Sequence, residues 1–300
     1  MTFSATDCAF EGFRLTRRAP VAVLLWAVAY AAFFGLLFLL VGSHFATIMS
    51  LISQLEGQTE PSIEDMQPLM QAYGVIVAWA APLGLLFSAV ISTAIARSVI
   101  RPEDRKFGYM RLGKDELRVL GASLIVALIM FAVSFVGFML VSLVAALAVA
   151  APALWLAVVL LSLAVLAVVI WLSVRLSLVV PATFAEGRIA VKPAFAMTGE
   201  KVFWPLLGMA IIAWVMAMLV GLLGSAVAAP LSLMVGGAER LVGMEGASVP
   251  SLLSALGPML VVSLLVNAVM TAAQVVIMYA PFSAAYLQLK GAPRACGGED

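Results

Sequence analysis

The side chains that could do chemistry are few, because 64% of the 300 residues are apolar and only 11% are charged. One set is neutral and recurs in the last apolar segment at spacings of four, four and three: Ser263, Asn267, Thr271 and Gln274. This spacing places the four side chains on one face of a helix. Because polar groups are costly against lipid, the face is expected to point towards other helices. There it either lines a cavity or joins helices by hydrogen bonds.

A second set is charged and lies at or near the ends of two apolar segments. It consists of Arg97, Arg175, Glu186, Arg188 and Lys192. Cationic side chains in these places are candidates for contacting a lipid headgroup or another anion, because they pair with phosphate and carboxylate groups. The alternative is that Arg97 and Arg175 extend towards the membrane surface and only anchor their helices.

Patterns typical of enzymes are missing from the sequence. The only histidine, His44, has no second histidine beside it, and a zinc site needs three or four ligands. Nucleophile-elbow, HExxH, P-loop and dinucleotide-binding patterns do not occur. Cys8 and Cys296 lie outside metal-type and CxxC spacings, so they are interpreted as ordinary thiols. We therefore predict a non-enzymatic protein with no catalytic residue, no metal and no cofactor. An enzyme would need a partner subunit, or a lipid substrate that reaches Glu186.

The elements that position these residues are six apolar stretches. Soluble domains are about 45–50% apolar. A chain that is 64% apolar, with a mean hydropathy of +1.13, is typical of an integral membrane protein. Crossing a bilayer takes about 20 apolar helical residues. The predicted spans cover approximately residues 20–42, 73–96, 119–149, 153–180, 202–228 and 256–286. We predict an all-α polytopic fold in which residues 1–300 form a single membrane domain. No span contains Asp or Glu, which disfavours an ion-coupled transporter.

The basic residues are sorted to one side of these spans. With six spans, the N-terminal segment, the second and fourth connections and the C-terminal tail carry 16 of the 17 basic residues. With their 10 acidic residues these segments have a formal charge of +6, and the remaining connections have −5. Cytoplasmic segments are enriched in Lys and Arg. Both termini are therefore predicted to be cytoplasmic, with an interfacial helix over 1–19 and a tail over 287–300.

The basic segments also resemble one another. Arg101-Pro102 precedes the third span and Lys192-Pro193 precedes the fifth, each close to a short amphipathic stretch. The predicted interfacial stretches cover residues 4–18, 103–110 and 194–201. Their apolar side chains would face the acyl chains while Lys and Arg meet the headgroups. We interpret the chain as three hairpins, each preceded by an interfacial helix. The simpler alternative is that positive cytoplasmic connections look alike.

One segment carries a family resemblance. From Trp171 to Gly208 the chain contains Arg175, Pro181-Ala182, Glu186-Gly187, Met197-Thr198-Gly199 and Phe203-Trp204. In these residues it resembles uncharacterised bacterial multi-pass membrane proteins related to the membrane domain of glycerophosphoryl diester phosphodiesterases. The resemblance implies about six spans and a stand-alone domain in the bacterial inner membrane. It assigns no phosphodiesterase activity, because the soluble catalytic barrel has no counterpart in the sequence.

Together these patterns predict an inner-membrane protein that organises lipid or a partner protein through a basic cytoplasmic face. The expected partners are membrane lipids, anionic ones in particular, with a protein partner or a second copy of the chain as further candidates. Nucleic acid is not an expected partner. The alternative is a passive or lipid-handling transporter whose neutral polar cavity follows the last helix, along Ser263, Asn267, Thr271 and Gln274.

Overall fold

The computed structural model describes residues 4–55, 62–234 and 249–291. Within these ranges the regular secondary structure is helical and no strand is present. The α-helices are α1 (Ala5–Ala9), α2 (Glu11–Arg18), α3 (Pro20–Leu55), α4 (Ile63–Ile100), α5 (Lys114–Ala150), α6 (Trp155–Leu176), α7 (Val179–Glu186), α8 (Val191–Met197), α9 (Glu200–Met234) and α10 (Val249–Leu289). Short 3-10 helices lie at Lys106–Tyr109 and Pro152–Leu154.

Six of these helices are long and apolar enough to cross a membrane: α3, α4, α5, α6, α9 and α10. They confirm the prediction of six apolar helices and define a multi-pass membrane protein. Only 6% of the most apolar window of α5, and of α6, is buried inside the protein. Apolar side chains exposed on this scale are expected where lipid, not water, is the solvent.

Several helices are longer than the spans predicted for them. α3 continues to Leu55, α4 begins at Ile63 and α9 continues to Met234. The hydropathy pattern detects the segment that lipid must surround, whereas helical hydrogen bonding continues into more polar sequence. The helices therefore extend beyond the predicted spans at these ends. The glycine-rich segment 235–248 and the predicted tail beyond Gly291 lie outside the described residues.

The predicted interfacial helix over 103–110 is wrong in its conformation. This segment has only a four-residue 3-10 turn, Lys106–Tyr109, in which Phe107 and Gly108 have left-handed backbone angles. The other two predicted interfacial segments are largely helical. Residues 4–18 form α1 and α2 with a break at Phe10, and α8 and the start of α9 cover most of 194–201.

The chain divides into two compact units. The first contains the described residues of 1–15, 89–214 and 278–300. Its core lies around the joint between α6 and α7, where Leu178, Val179 and Ala182 are fully buried. Leu206 of α9 and Tyr286 of α10 belong to the same cluster. This core fixes the helix ends that carry the charged residues.

The second unit contains the described residues of 16–88 and 215–277. Aromatic packing joins α3 and α4 there, because Phe87 stacks on Phe33 at 4.4 Å and meets Tyr30 edge to face at 4.8 Å. Between α9 and α10, Gly224 leaves room for Met270. Small residues that let helices approach closely are typical of packing in membranes.

Candidate functional site

Arg97 lies in the last turn of α4 and is almost completely buried. Its Nη2 is 2.5 Å from Oε1 of Glu116, and the two side chains are only 4% and 7% exposed. Nη1 donates a hydrogen bond to the carbonyl oxygen of Tyr109. Glu116 is the third residue of α5, where the positive end of a helix favours a carboxylate. The pair therefore fastens the end of α4 to the start of α5.

The connection between these two helices has an unusual backbone. Phe107, Gly108 and Tyr109 have φ of 52°, 62° and 64°, a conformation that costs a non-glycine residue about 1–2 kcal/mol. Tyr109 is buried, and its hydroxyl donates to the carbonyl of Pro102 at 3.1 Å. With Arg97 bound to its carbonyl, Tyr109 is held from both ends. The surrounding structure thus imposes a conformation that the local sequence disfavours.

This connection presents apolar and basic side chains side by side. Phe107 is 83% exposed and Leu112 is 89% exposed. Arg105, Lys106 and Lys114 are exposed as well. We call these five residues the connection surface. Its framework is further held by Arg111, which makes two hydrogen bonds to Asp104, at 2.6 and 3.1 Å.

Arg175 occupies the last turn of α6, as Arg97 occupies that of α4. Its Nη1 donates to the carbonyl of Thr198, whose hydroxyl donates back to the carbonyl of Arg175 at 2.9 Å. The guanidinium lies over the ring of Phe195 at 4.0 Å and near Trp171 at 5.7 Å. Its Nε is buried and has no hydrogen-bond acceptor among the described residues.

Glu186 does not pair with Arg175. Its carboxylate lies 2.9 Å from Arg188 and 3.4 Å from Lys290. Lys192 is exposed in α8. The structure thus divides the predicted charged set: Arg97 has an internal counter-ion, Glu186 is neutralised by two cations, and Arg175 has no carboxylate partner within the part of the chain that is described.

The neutral polar face of α10 is divided as well. Gln274 donates from Nε2 to the carbonyl of Ala217 in α9 at 3.4 Å, and Gly221 leaves the space for it. Asn267 is exposed and donates to the carbonyl of Ser263 in its own helix at 2.8 Å. Thr271 lies between Asn267 and Gln274 in the sequence, and its side chain is half-buried. Gln274 therefore joins two helices, and Asn267 satisfies itself locally.

Sequence reasoning missed the partners of the two arginines. Glu116 and Thr198 contact the two arginines only in the folded chain, since Glu116 follows Arg97 by 19 residues and Thr198 follows Arg175 by 23. One signal was available for Glu116, namely an acidic residue in the first turn of the helix that follows an arginine-terminated span. No comparable signal marks Thr198.

Among the described residues, no three His, Cys, Asp or Glu side chains lie close enough together to hold a metal ion. Comparison with protein family models, curated proteins and solved structures finds no match for this chain. The six apolar helices define the class, a multi-pass membrane protein. The resemblance to phosphodiesterase-associated membrane domains stays a prediction.

Proposed function

We propose that this chain is a non-enzymatic protein of the bacterial inner membrane that binds and organises anionic lipid through a basic cytoplasmic face. In this proposal the six helices form three hairpins and both termini are cytoplasmic. The sorting of 16 basic residues to one side supports the orientation. The observation that carries the lipid-binding role is the connection surface between α4 and α5.

The position of the connection surface supports a lipid surface as its occupant. α4 ends at Ile100 and α5 begins at Lys114, and both are helices that can cross a membrane. The connection is therefore tethered at both ends to a helix of this kind, which supports a location near the headgroups. An exposed Phe107 and Leu112 at that level can enter the acyl boundary.

The charges of the connection surface add a preference for anionic lipid. Arg105, Lys106 and Lys114 are exposed, and each basic residue close to an anionic membrane contributes about 1 kcal/mol. Burying the two apolar side chains contributes about 1.5–3 kcal/mol each, whatever the lipid charge. The apolar part therefore holds the connection in any bilayer, and the basic part discriminates between lipids.

The lipid preference is tested by native mass spectrometry of the detergent-purified protein titrated with phosphatidylglycerol or phosphatidylcholine. The variant Arg105→Gln/Lys106→Gln/Lys114→Gln is expected to lose up to about 100-fold in phosphatidylglycerol affinity, from three contributions of about 1 kcal/mol. The matched control Arg105→Lys/Lys106→Arg/Lys114→Arg keeps the charge and should keep the preference. Equal binding of the two lipids by the wild-type protein would refute the proposal.

The occupant of the apolar part is tested by placing a photo-crosslinking benzoylphenylalanine at Phe107 in cells. Crosslinks to lipid are expected, whereas a single crosslinked protein would identify a protein surface and overturn the lipid assignment. Phe138, exposed in the middle of α5, is the lipid-facing control position. It should crosslink to lipid in either case.

The orientation is tested with a membrane-impermeant maleimide on intact cells, using a background in which Cys296 is replaced by serine. Cys8 is buried, so it is shielded from the reagent. A cysteine at Ser62 is expected to react in intact cells, and one at Lys106 only after the membrane is opened. The reverse pattern would place the connection surface outside the cell.

The transporter alternative gains no support from the neutral polar face. Gln274 hydrogen-bonds to Ala217, and Asn267 to its own helix. The Gln274 bond is a helix-packing contact, of a kind worth about 0.6 kcal/mol, and the Asn267 bond is internal to α10.

A further inference from the structure

Arg97 and Arg175 stand at equivalent places in two successive pairs of helices but have different partners. Each lies in the last turn of its helix and donates from Nη1 to a backbone carbonyl that precedes the next long helix. Arg97 then meets Glu116. Arg175 meets the rings of Phe195 and Trp171 instead. Within the described residues, the first arginine is neutralised by a carboxylate and the second is not.

Neither of two acidic residues that follow Arg175 in the sequence pairs with it. Glu186 pairs with Arg188 and Lys290. Glu200, the first residue of α9, is exposed and forms no ion pair with Arg175. A partly buried cation without a counter-ion is unfavourable in an apolar surrounding, so an external anion would relieve it.

The guanidinium of Arg175 also has N–H donors that the described residues do not use. It carries five N–H groups in a planar fork, and Nη1 serves the carbonyl of Thr198. Nε is buried without an acceptor, and leaving such a donor unpaired is costly. Nε and Nη2 form one edge of the fork, the arrangement that receives two oxygens of a phosphate. The stacked ring of Phe195, 4.0 Å away, fixes the plane of that fork.

The surroundings favour an anion at the membrane boundary. Trp171 is 46% exposed one turn before Arg175, and tryptophan at a helix end is typical of the headgroup level. α9 begins at Glu200, two residues after Thr198, so the positive end of its dipole lies next to the carbonyl that Arg175 binds. Lys201 in its first turn is exposed and adds a mobile positive charge.

We propose that Arg175 is the anchor of a phosphate-binding site, whose ligand is the phosphate of a lipid headgroup or free phosphate. The aromatic side chains Phe195 and Trp171 hold the guanidinium in place, and Nη2 donates to a phosphate oxygen; the buried Nε gains an acceptor when a neighbouring side chain moves aside as the ligand enters. This proposal rests on the proposed function, since it names one site of lipid recognition on the same face.

The test titrates the full-length protein in neutral detergent with short-chain phosphatidylglycerol and with diacylglycerol of the same chains, which lacks the phosphate. Native mass spectrometry measures both affinities. Arg175→Gln is expected to weaken phosphatidylglycerol binding about tenfold or more, the range for a charge-assisted hydrogen bond, and to leave diacylglycerol binding unchanged. Arg175→Lys keeps the charge but loses the fork, and should also weaken binding. Arg118→Gln is the matched control, because Arg118 is paired with Asp115 at 3.1 Å and belongs to neither proposed site, and it should bind as the wild type does.

The outcomes separate the sources of phosphate and the two proposals. Displacement of the lipid by millimolar inorganic phosphate identifies free phosphate as a ligand, and no displacement identifies the lipid headgroup. If Arg175→Gln does not fold, Arg175→Lys is measured in its place. An unchanged phosphatidylglycerol affinity in the variant that folds overturns the proposed site. If the wild-type protein prefers phosphatidylglycerol and only the connection-surface variant loses this preference, the Arg175 site is refuted and the proposed function stands. If the wild type shows no preference, the proposed function fails with it.

Discussion

The buried ion pair between Arg97 and Glu116 gives the sharpest stability prediction. Replacing Glu116 with glutamine keeps the shape of the side chain but removes its charge. Arg97 is then left 4% exposed with the carbonyl of Tyr109 and the ring of Phe184, 5.3 Å from its guanidinium carbon, as its neighbours. Neither neighbour carries a negative charge, so the buried cation loses its compensation.

The size of the effect follows from this geometry. Removing one partner of a buried pair costs about 3–5 kcal/mol. The glutamine oxygen still accepts a hydrogen bond from Arg97, which places Glu116→Gln near the lower end, at about 3 kcal/mol. Arg97→Met should cost about 1–3 kcal/mol more, because the buried carbonyl of Tyr109 also loses its donor.

The assay is a double-mutant cycle by thermal unfolding of the detergent-solubilised protein, with Arg97→Met and Glu116→Leu as its single variants and Glu116→Gln measured beside them. Arg97→Met/Glu116→Leu removes both charges, and an apolar replacement of a whole buried pair is often nearly neutral. The double variant should therefore be several kcal/mol more stable than the sum of the single changes predicts, because neither uncompensated buried charge remains in it. Asp104→Asn is the control, since its pair with Arg111 is more than one-third exposed on both sides and is worth less than about 1 kcal/mol.

Two results would refute this reasoning. One is a Glu116→Gln variant that unfolds at the same temperature as Asp104→Asn. The other is a cycle in which the two single effects simply add. Either would mean that the connection is held by packing and by the bonds of Tyr109, and that the pair of charges contributes little.

Two further predictions concern glycines at which helices meet. A Cβ added at Gly137 in α5 would overlap the stiff side chain of Val165 in α6, so Gly137→Ala should destabilise the protein by about 1–3 kcal/mol. Gly208→Ala has open space and should be neutral or slightly stabilising in the same thermal assay; equal effects would contradict the packing argument. Gly221→Ala should lower the unfolding temperature because the new Cβ displaces Gln274, and Gln274→Ala should suppress that loss. Failure of suppression would show that another neighbour resists the change.

The six apolar helices were predictable from sequence because their signal is local. A run of about 20 apolar residues reports its lipid surroundings without reference to the rest of the chain. Helix ends do not coincide with the ends of the apolar runs, as α3 shows by continuing to Leu55 beyond its apolar run. Helical hydrogen bonds do not depend on hydropathy, so composition cannot mark where they stop.

The connection between α4 and α5 was mispredicted for a physical reason. The apolar and basic pattern of 103–110 is typical of an interfacial helix, yet Phe107 and Tyr109 adopt left-handed angles. These angles are stabilised by contacts with Pro102 and Arg97, distant enough in sequence that no local pattern encodes them. Phe107 of this segment is exposed, whereas Met110 is half-buried, and the tertiary contacts decide the backbone conformation.

The contrast between the two arginines turns on the residue at one helical position. Counting from the glycine that precedes each helix, the third residue is Glu116 in α5 and Val202 in α9. A carboxylate there is favoured by the helix dipole and can reach back to an arginine, as Glu116 does. Val202 packs against the apolar core of its unit and supplies no charge. The first segment pairs its cation inside the fold, whereas Arg175 has no carboxylate partner among the described residues and is the proposed phosphate anchor.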